Sequence, residues 1–300
     1  MLTDYRINGQ SLSGDGFRLL AGTTHYSSIS PRIESVTVNG RNGVLIPDGP
    51  LCFDPPEITL KAISFGADCD LLMHRFYRLC RAAKTLTRTE TDTETGWDRT
   101  MSTSAILTSC QPNGEEKPWS DHRCATAVFQ LPDVYWQGEQ WQETTLAATG
   151  GLLLAGGVSK ASDKGYWTRW QGLPNASPSE LFDTIPEGWL SNAPITTLLL
   201  RFGMATAVTV TDPVSGTNLL WGGSRSTSLP YLFVDVLNRK AWTSSNAAAW
   251  SGGTDVTSGL DWTGEPLQVW PSAEAGDYRL TIKQSGSTDT VACRYRQSWE

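Results

Sequence analysis

Asn39-Gly40-Arg41-Asn42-Gly43 allows the backbone little except to reverse, because it sets two Asn/Gly turn signals between Val36 and Val38 on one side and Val44 and Ile46 on the other. Asn and Gly tolerate positive φ, so the segment reads as a hairpin tip. The same punctuation runs from Tyr5 to Leu60. There the short apolar runs Ser35–Val38, Gly43–Pro47 and Ile58–Ala62 are split by Gly, Asn and Pro, the pattern of strands and tight turns. Charged residues make up 18% of the chain, with 28 Gly and 13 Trp, a balance that favours sheets with aromatic packing over helical bundles. At 300 residues the chain is long enough for two domains, each with its own core.

One stretch reads as a helix. Asp68 is placed to cap it, Asp70 adds negative charge to its first turn, and Leu72, Phe76, Leu79 and Ala83 recur at helical spacing. Arg75, Arg78, Arg81 and Lys84 gather toward its C-terminal end, where they complement the dipole. They form either a solvated face or an ion-pairing contact to a neighbouring subunit. Directly after, every odd position from Thr85 to Thr95 is Thr, while Arg88, Glu90, Asp92 and Glu94 take even positions. Such a strand has no apolar face, so it is expected as a solvated arm, as a strand paired outside its own domain, or as a loop. Gly96 and Trp97 turn it back toward Met101–Ser109 as a hairpin.

Ala125–Leu131 and the aromatic exit Val134-Tyr135-Trp136 close a first domain, expected over residues 1–150. Residues 151–190 read as a Gly- and Pro-punctuated bridge that carries Tyr166, Trp167 and Trp170. Residues 191–300 hold short strands every eight to twelve positions, the mark of a β-sandwich. Its last strand sets Val291, Cys293 and Tyr295 on a core face and Arg294 and Arg296 on a wet one.

Several functions are excluded or disfavoured. Net charge is −7 and no segment is basic, so nucleic acid is not an expected partner. Met1–Gly9 lacks the apolar run of a signal peptide, and Leu146–Val158 is too short and Gly-rich to span a bilayer, so a soluble protein made in the cytoplasm is expected. Cys52, Cys69, Cys80, Cys110, Cys124 and Cys293 contain no C-x-x-C pair and read as free, mostly buried thiols. Cys69 and Cys80 on one helix stand about 16 Å apart, beyond disulfide reach, and His74 shares a face with neither. No nucleophile elbow, phosphate loop or zincin signature accompanies His25, His74 or His122, so no enzyme activity, cofactor or metal is expected.

With both halves laid out, the chain resembles the distal tail proteins of long, non-contractile bacteriophage tails, the tail-tip or baseplate hub family. In the first half the resemblance rests on the Gly40-Arg41-Asn42-Gly43 turn between strands, the single helix and Val134-Tyr135-Trp136. In the second it rests on Ala193-Pro194-Ile195, Phe233-Val234-Asp235 followed by Arg239, Trp270-Pro271, and the ending Tyr295-Arg296 and Trp299. It covers nearly the whole chain except the bridge, which is longer than usual for the family. No single motif is specific; their order carries the likeness.

The resemblance implies a mainly β protein in which an N-terminal, sandwich-like belt domain with one α-helix forms a ring. A C-terminal sandwich, galectin-like or like a carbohydrate module, sits at the periphery. It implies a hexamer in the virion, at the distal end of the tail tube, joining the tail tube protein to the tail-associated tip protein. Within it, Arg41, Asn42, Arg75, Arg78, Arg88, Glu90, Asp92 and Glu94 are the subunit-interface candidates.

The rival is a carbohydrate-binding module for host cell-wall glycan. Trp221 and Trp270 end strand patterns and read as core. Trp242 and Trp250, set among Ser, Asn, Ala and Gly, are expected to be exposed and to stack on sugar, with Asp235 and Arg239 bonding hydroxyls; Trp262 is a further stacking candidate. A tail lysin using paired carboxylates is a third reading, since carboxylate separation is not visible in sequence.

Overall fold

The computed structural model describes residues 2–14, 16–24, 28–33, 35–37, 39–40, 42–46, 52–94, 96–113, 121–146, 152–154, 159–162, 165–168, 179–182, 191–223, 226–261, 266–271, 278–285 and 291–300. Arg41, His25, Trp170 and Trp262 lie outside them. The chain divides into two compact units, one of Met1–Ile46 with Leu51–Glu139 and one of Gln140–Trp299.

In the first unit, β1 (Leu2–Ile7), β2 (Gln10–Ser11), β3 (Phe17–Leu19), β4 (Ser30–Pro31), β5 (Val36–Thr37), β6 (Val44–Leu45), β7 (Phe53–Asp54) and β8 (Glu57–Phe65) precede α1 (Cys69–Arg81). After it come β9 (Thr85–Thr91), β10 (Asp98–Ser104), β11 (Ile106–Pro112), β12 (His122–Gln130) and β13 (Trp136–Gly138). Two antiparallel sheets run β2-β1-β9-β10-β13 and β11-β12-β8-β3, and β4 with β7 and β5 with β6 form separate pairs.

Strict alternation builds the second of these sheets. Ile58, Leu60, Ala62 and Ser64 of β8 are buried, and Phe129, Ala127 and Ala125 of β12 stand opposite the first three. The small side chains of Ala62, Ser64, Ala125 and Ala127 leave room for α1, which packs against β8, β11 and β12. The helix buries Cys69, Met73, Phe76 and Cys80, with the Phe76 ring 5.5 Å from that of Phe17. The stripe expected through Leu72 and Leu79 is therefore rotated about Phe76 toward Met73 and Cys80, two soft side chains that fill space as well as Leu does. Gly16, at φ +77°, lets the chain pass so close to α1 that a Cβ there would stand 3.0 Å from Leu72 Cδ1 and from the Phe65 carbonyl.

In the second unit the strands are β14 (Gln142–Leu146), β15 (Leu152–Leu154), β16 (Ser159–Ser162), β17 (Gly165–Thr168), β18 (Ser179–Phe182), β19 (Leu198–Phe202), β20 (Ala207–Thr211) and β21 (Asn218–Gly222). They continue as β22 (Tyr231–Asp235), β23 (Lys240–Ser244), β24 (Thr254–Asp255), β25 (Leu260–Asp261), β26 (Arg279–Ser285) and β27 (Val291–Tyr295). One sheet runs β14-β27-β19-β22-β23-β24 and another β15-β26-β20-β21-β25, with β16-β17-β18 as a small third. Leu198, Leu200, Phe202, Leu232, Val234, Val291, Cys293 and Tyr295 from the first form one core with Val208, Val210, Leu219, Trp221, Leu280 and Ile282 from the second. This is a two-sheet antiparallel sandwich.

Candidate assembly interface

The Thr-rich strand is not an arm. β9 pairs along its length with β1, Leu2↔Thr91 to Ile7↔Leu86, and with β10, Asp98↔Thr91 to Ser104↔Thr85. The hairpin through Gly96 is present, but its first strand is interior, flanked on both sides. Arg88 and Glu90, expected at a subunit boundary, are both 0% exposed. The reason is chemical: Arg88 Nε lies 3.2 Å from Glu90 Oε1, and Arg99 Nε donates to Glu90 Oε2 at 2.8 Å. The Arg88 guanidinium also covers the Trp136 ring at 4.8 Å and donates to Met101 Sδ at 3.1 Å. A strand without an apolar face can be buried when its charges neutralise each other and an aromatic face takes the remaining cation. Asp92 and Glu94 remain at the turn, where Asp92 Oδ1 accepts the Glu94 N–H at 3.0 Å and Glu94 is exposed.

The other candidates in this unit lie on its surface. β5 and β6 pair as Val36↔Leu45 and Thr37↔Val44, with Gly40 and Gly43 both at φ +83° and Asn42 exposed. Val36, Val44, Leu45 and Ile46 are exposed to 53%, 51%, 40% and 62%. A hairpin of four half-bare aliphatic side chains gains little from its own subunit, which makes it a surface suited to a partner. Arg75 and Arg78 are exposed on α1, and Arg75 Nη2 donates to Gln10 Oε1 at 3.4 Å. Beside Arg75, a cavity of about 130 Å³ is lined by Leu12, Phe17, Leu72, Phe76 and Leu79. That is below the size of ordinary small-molecule pockets.

In the second unit, the structure reverses the expected exposure of Trp242 and Trp250. Each is only 8% exposed. Phe233 stacks on Trp242 at 5.6 Å with 4° between planes and meets Trp250 edge-on at 5.4 Å. Trp242 Nε1 donates to the Ala249 carbonyl at 3.0 Å, and Arg294 and Arg201 cover the Trp250 ring at 4.6 and 5.5 Å. Arg201 Nη1 donates to Ala247 O at 2.6 Å, tying the loop before Trp250 to β19. The outer face of this sheet, expected to be wet at Arg294, is a second small core with arginine stems as its cover. Trp221 is buried as expected, and Trp270 is half-buried.

Asp235 and Arg239 lie at the turn between β22 and β23. Asp235 accepts Asn238 N–H at 3.0 Å and Asn238 Nδ2–H at 2.8 Å, closing the turn between β22 and β23, and Arg239 stands exposed on that turn at φ +52°. That Phe233, Arg201 and Arg294 cover the Trp242 and Trp250 rings escaped the sequence reading, although the unbroken apolar run Leu232-Phe233-Val234 is the signal of a strand covered on both faces. Among the described residues there is no cluster of three metal-ligating side chains, and no helix is long and apolar enough to cross a membrane.

Comparison with solved structures places this architecture beside the Dit protein of phage SPP1, described as a paradigm of the hub adsorption apparatus in phages infecting Gram-positive bacteria. The TM-score is 0.59 and identity 14%, with 100% of both chains covered. Two structures of the phage P2 baseplate in its activated conformation, with Ca and with Sr, align with TM-scores of 0.38 and 0.36 at 11% identity, over 99% of this chain and 98% of theirs. No family model matches the sequence. No curated protein matches it either. The chain has the mainly β, Dit-like fold that its motif order led us to expect.

Proposed function

We propose that this protein is a distal tail protein, a structural subunit that closes into a hexameric ring at the distal end of a phage tail and acts as hub for the adsorption device of the virion. The observation that carries this reading is the fold match over the full length of both chains, since it extends through both units rather than through one common sandwich. The ring is assigned to the first unit and the peripheral position to the second. Its partners are further copies of itself, the tail tube protein on one side and the tail-associated tip protein on the other.

A ring needs two different surfaces per subunit, one meeting the other across each boundary. The bare β5–β6 hairpin supports one of them, with Asn42 on its tip and Arg41 preceding Asn42 in sequence. The exposed Arg75 and Arg78 face of α1 and the Asp92–Glu94 turn are candidates for the other. Arg88 and Glu90 leave this set, because they hold the interior of the sheet. Glycan stacking by Trp242 and Trp250 is not favoured, since their faces are already occupied by Phe233, Arg201 and Arg294.

Native mass spectrometry and negative-stain imaging of the purified chain test the proposal. A six-fold ring is expected at micromolar concentration and above, alone or with the tail tube protein, because oligomer populations follow concentration and ligand by mass action. Monomer under every one of those conditions overturns it.

A further inference from the structure

Cys80 and Cys110 form a thiol pair that the ring role does not use. Cys80 lies in the last turn of α1 and is fully buried, whereas Cys110 lies in β11, the edge strand of its sheet, and is half-buried. Cys110 stands opposite Ala127, and Ala127 opposite Leu60, so it points from the face of the sheet that receives α1. There α1 packs against β11, and the Cys80 and Cys110 thiols lie near enough for each to move the other's titration. The other four cysteines lie elsewhere. Cys69 opens the helix at its far end, Cys52 is exposed, Cys124 is half-buried on β12 and Cys293 is buried in the second unit.

We propose that Cys80 and Cys110 are an oxidation site at which a hydroperoxide-class oxidant makes an intramolecular disulfide, fastening the last turn of α1 to the edge strand β11. Cys110 acts first because solvent reaches it. Its thiolate attacks one peroxide oxygen, the S–O bond forms as the O–O bond breaks, and the departing hydroxide takes a proton to leave as water. Cys110 is then a sulfenic acid. The Cys80 sulfur attacks the Cys110 sulfur, the S–S bond forms as the S–O bond breaks, and the leaving hydroxide takes the Cys80 proton as a second water. Two thiols lose two electrons and two protons, and one hydrogen peroxide becomes two waters.

The local electrostatics set the same order. The neighbouring Cys80 thiol and the Arg81 cation both favour the thiolate at Cys110, against its partial burial. Contact with Cys110 and its own burial favour the protonated thiol at Cys80. A reachable thiolate next to a buried, protonated partner is the arrangement of an attacking and a resolving cysteine. The bridge would close a loop holding the whole β9–β10 hairpin, so it would constrain the unfolded chain and stabilise the fold.

The test uses the full chain and does not depend on ring formation. The protein is titrated with hydrogen peroxide, alkylated, digested without reductant and mapped by mass spectrometry. A Cys80–Cys110 linked peptide that has lost two hydrogens is expected, together with a rise of several degrees in melting temperature that dithiothreitol reverses. Cys110→Ser should melt near the wild type before oxidation and show neither the linked peptide nor the rise after it. Because Cys80→Ala leaves a core cavity, Cys110→Ser is the informative variant. Recovery of both thiols free after Cys52 has been consumed overturns the proposal, as does conversion of Cys110 to sulfinic acid with no linked peptide.

Discussion

Glu90 is the residue on which the first unit turns, because one carboxylate neutralises two guanidinium groups out of water. Glu90→Gln removes the carboxylate that faces the buried Arg88 guanidinium beside Trp136 and Met101, and should cost about 3–5 kcal/mol in urea denaturation. Replacing both members, Arg88→Met with Glu90→Leu, should cost less than Glu90→Gln alone, since the desolvation of two charges is then also removed. A double variant that is the less stable of the two would contradict this account. Sequence reasoning failed at these residues for a definable reason. Alternating Thr with Arg and Glu looks identical in a solvated strand and in a buried one, and the distinction rests on Arg99, Met101 and Trp136, which arrive from other strands. Trp242 and Trp250 misled similarly: small polar neighbours in sequence suggested exposure, yet Phe233 and two arginines cover them.

Among elements, the β5–β6 hairpin was the most legible, because Gly40 and Gly43 encode its reversal locally. Its apolar side chains do little for the isolated subunit. Leu45→Asp should therefore leave the thermal midpoint of the monomer nearly unchanged while abolishing rings in negative stain, and Arg41→Ala should weaken assembly in the same direction. Rings of normal abundance in Leu45→Asp would remove the hairpin from the interface. β23 was invisible in the sequence, since Lys240 to Ser244 carries only Ala241 and Trp242 as apolar residues and its place is set by pairing with β22. Beyond it, the Thr257 hydroxyl and backbone N–H hold the Asp255 carboxyl below the usual carboxylate range. Thr257 in turn accepts the Ala241 N–H at 3.0 Å, fixing this corner to β23. A depressed carboxyl stabilises the fold above its unfolded pKa, near pH 4, and loses that contribution as the pH falls through its lower folded value. Melting curves between about pH 6 and pH 2 should accordingly fall less steeply in Asp255→Asn than in the wild type.

For the whole molecule, strand content was readable from turn spacing, whereas which strands pair was not, because distant pairing leaves no local trace. The second unit carries the extreme case. β14 is its first strand and pairs with β27, Gln142↔Tyr295 to Leu146↔Val291, and Arg294 donates to Glu143 across 151 positions at 2.8 Å. β27 also pairs with β19 and supplies Val291, Cys293 and Tyr295 to the sandwich core. A chain ending at residue 290 should thus lose the cooperative unfolding transition of that unit, seen as a missing transition in calorimetry. A preserved transition would mean that β27 is dispensable. This closure also carries a timing rule for synthesis. While the ribosome still holds residues 291–295, a cleft stays open between β14 and β19, flanked by strands with unmet hydrogen bonds. Each nascent subunit therefore passes through a stage in which a neighbouring chain's strand could enter that cleft in place of its own, which makes strand exchange between copies the misfolding route this topology leaves open.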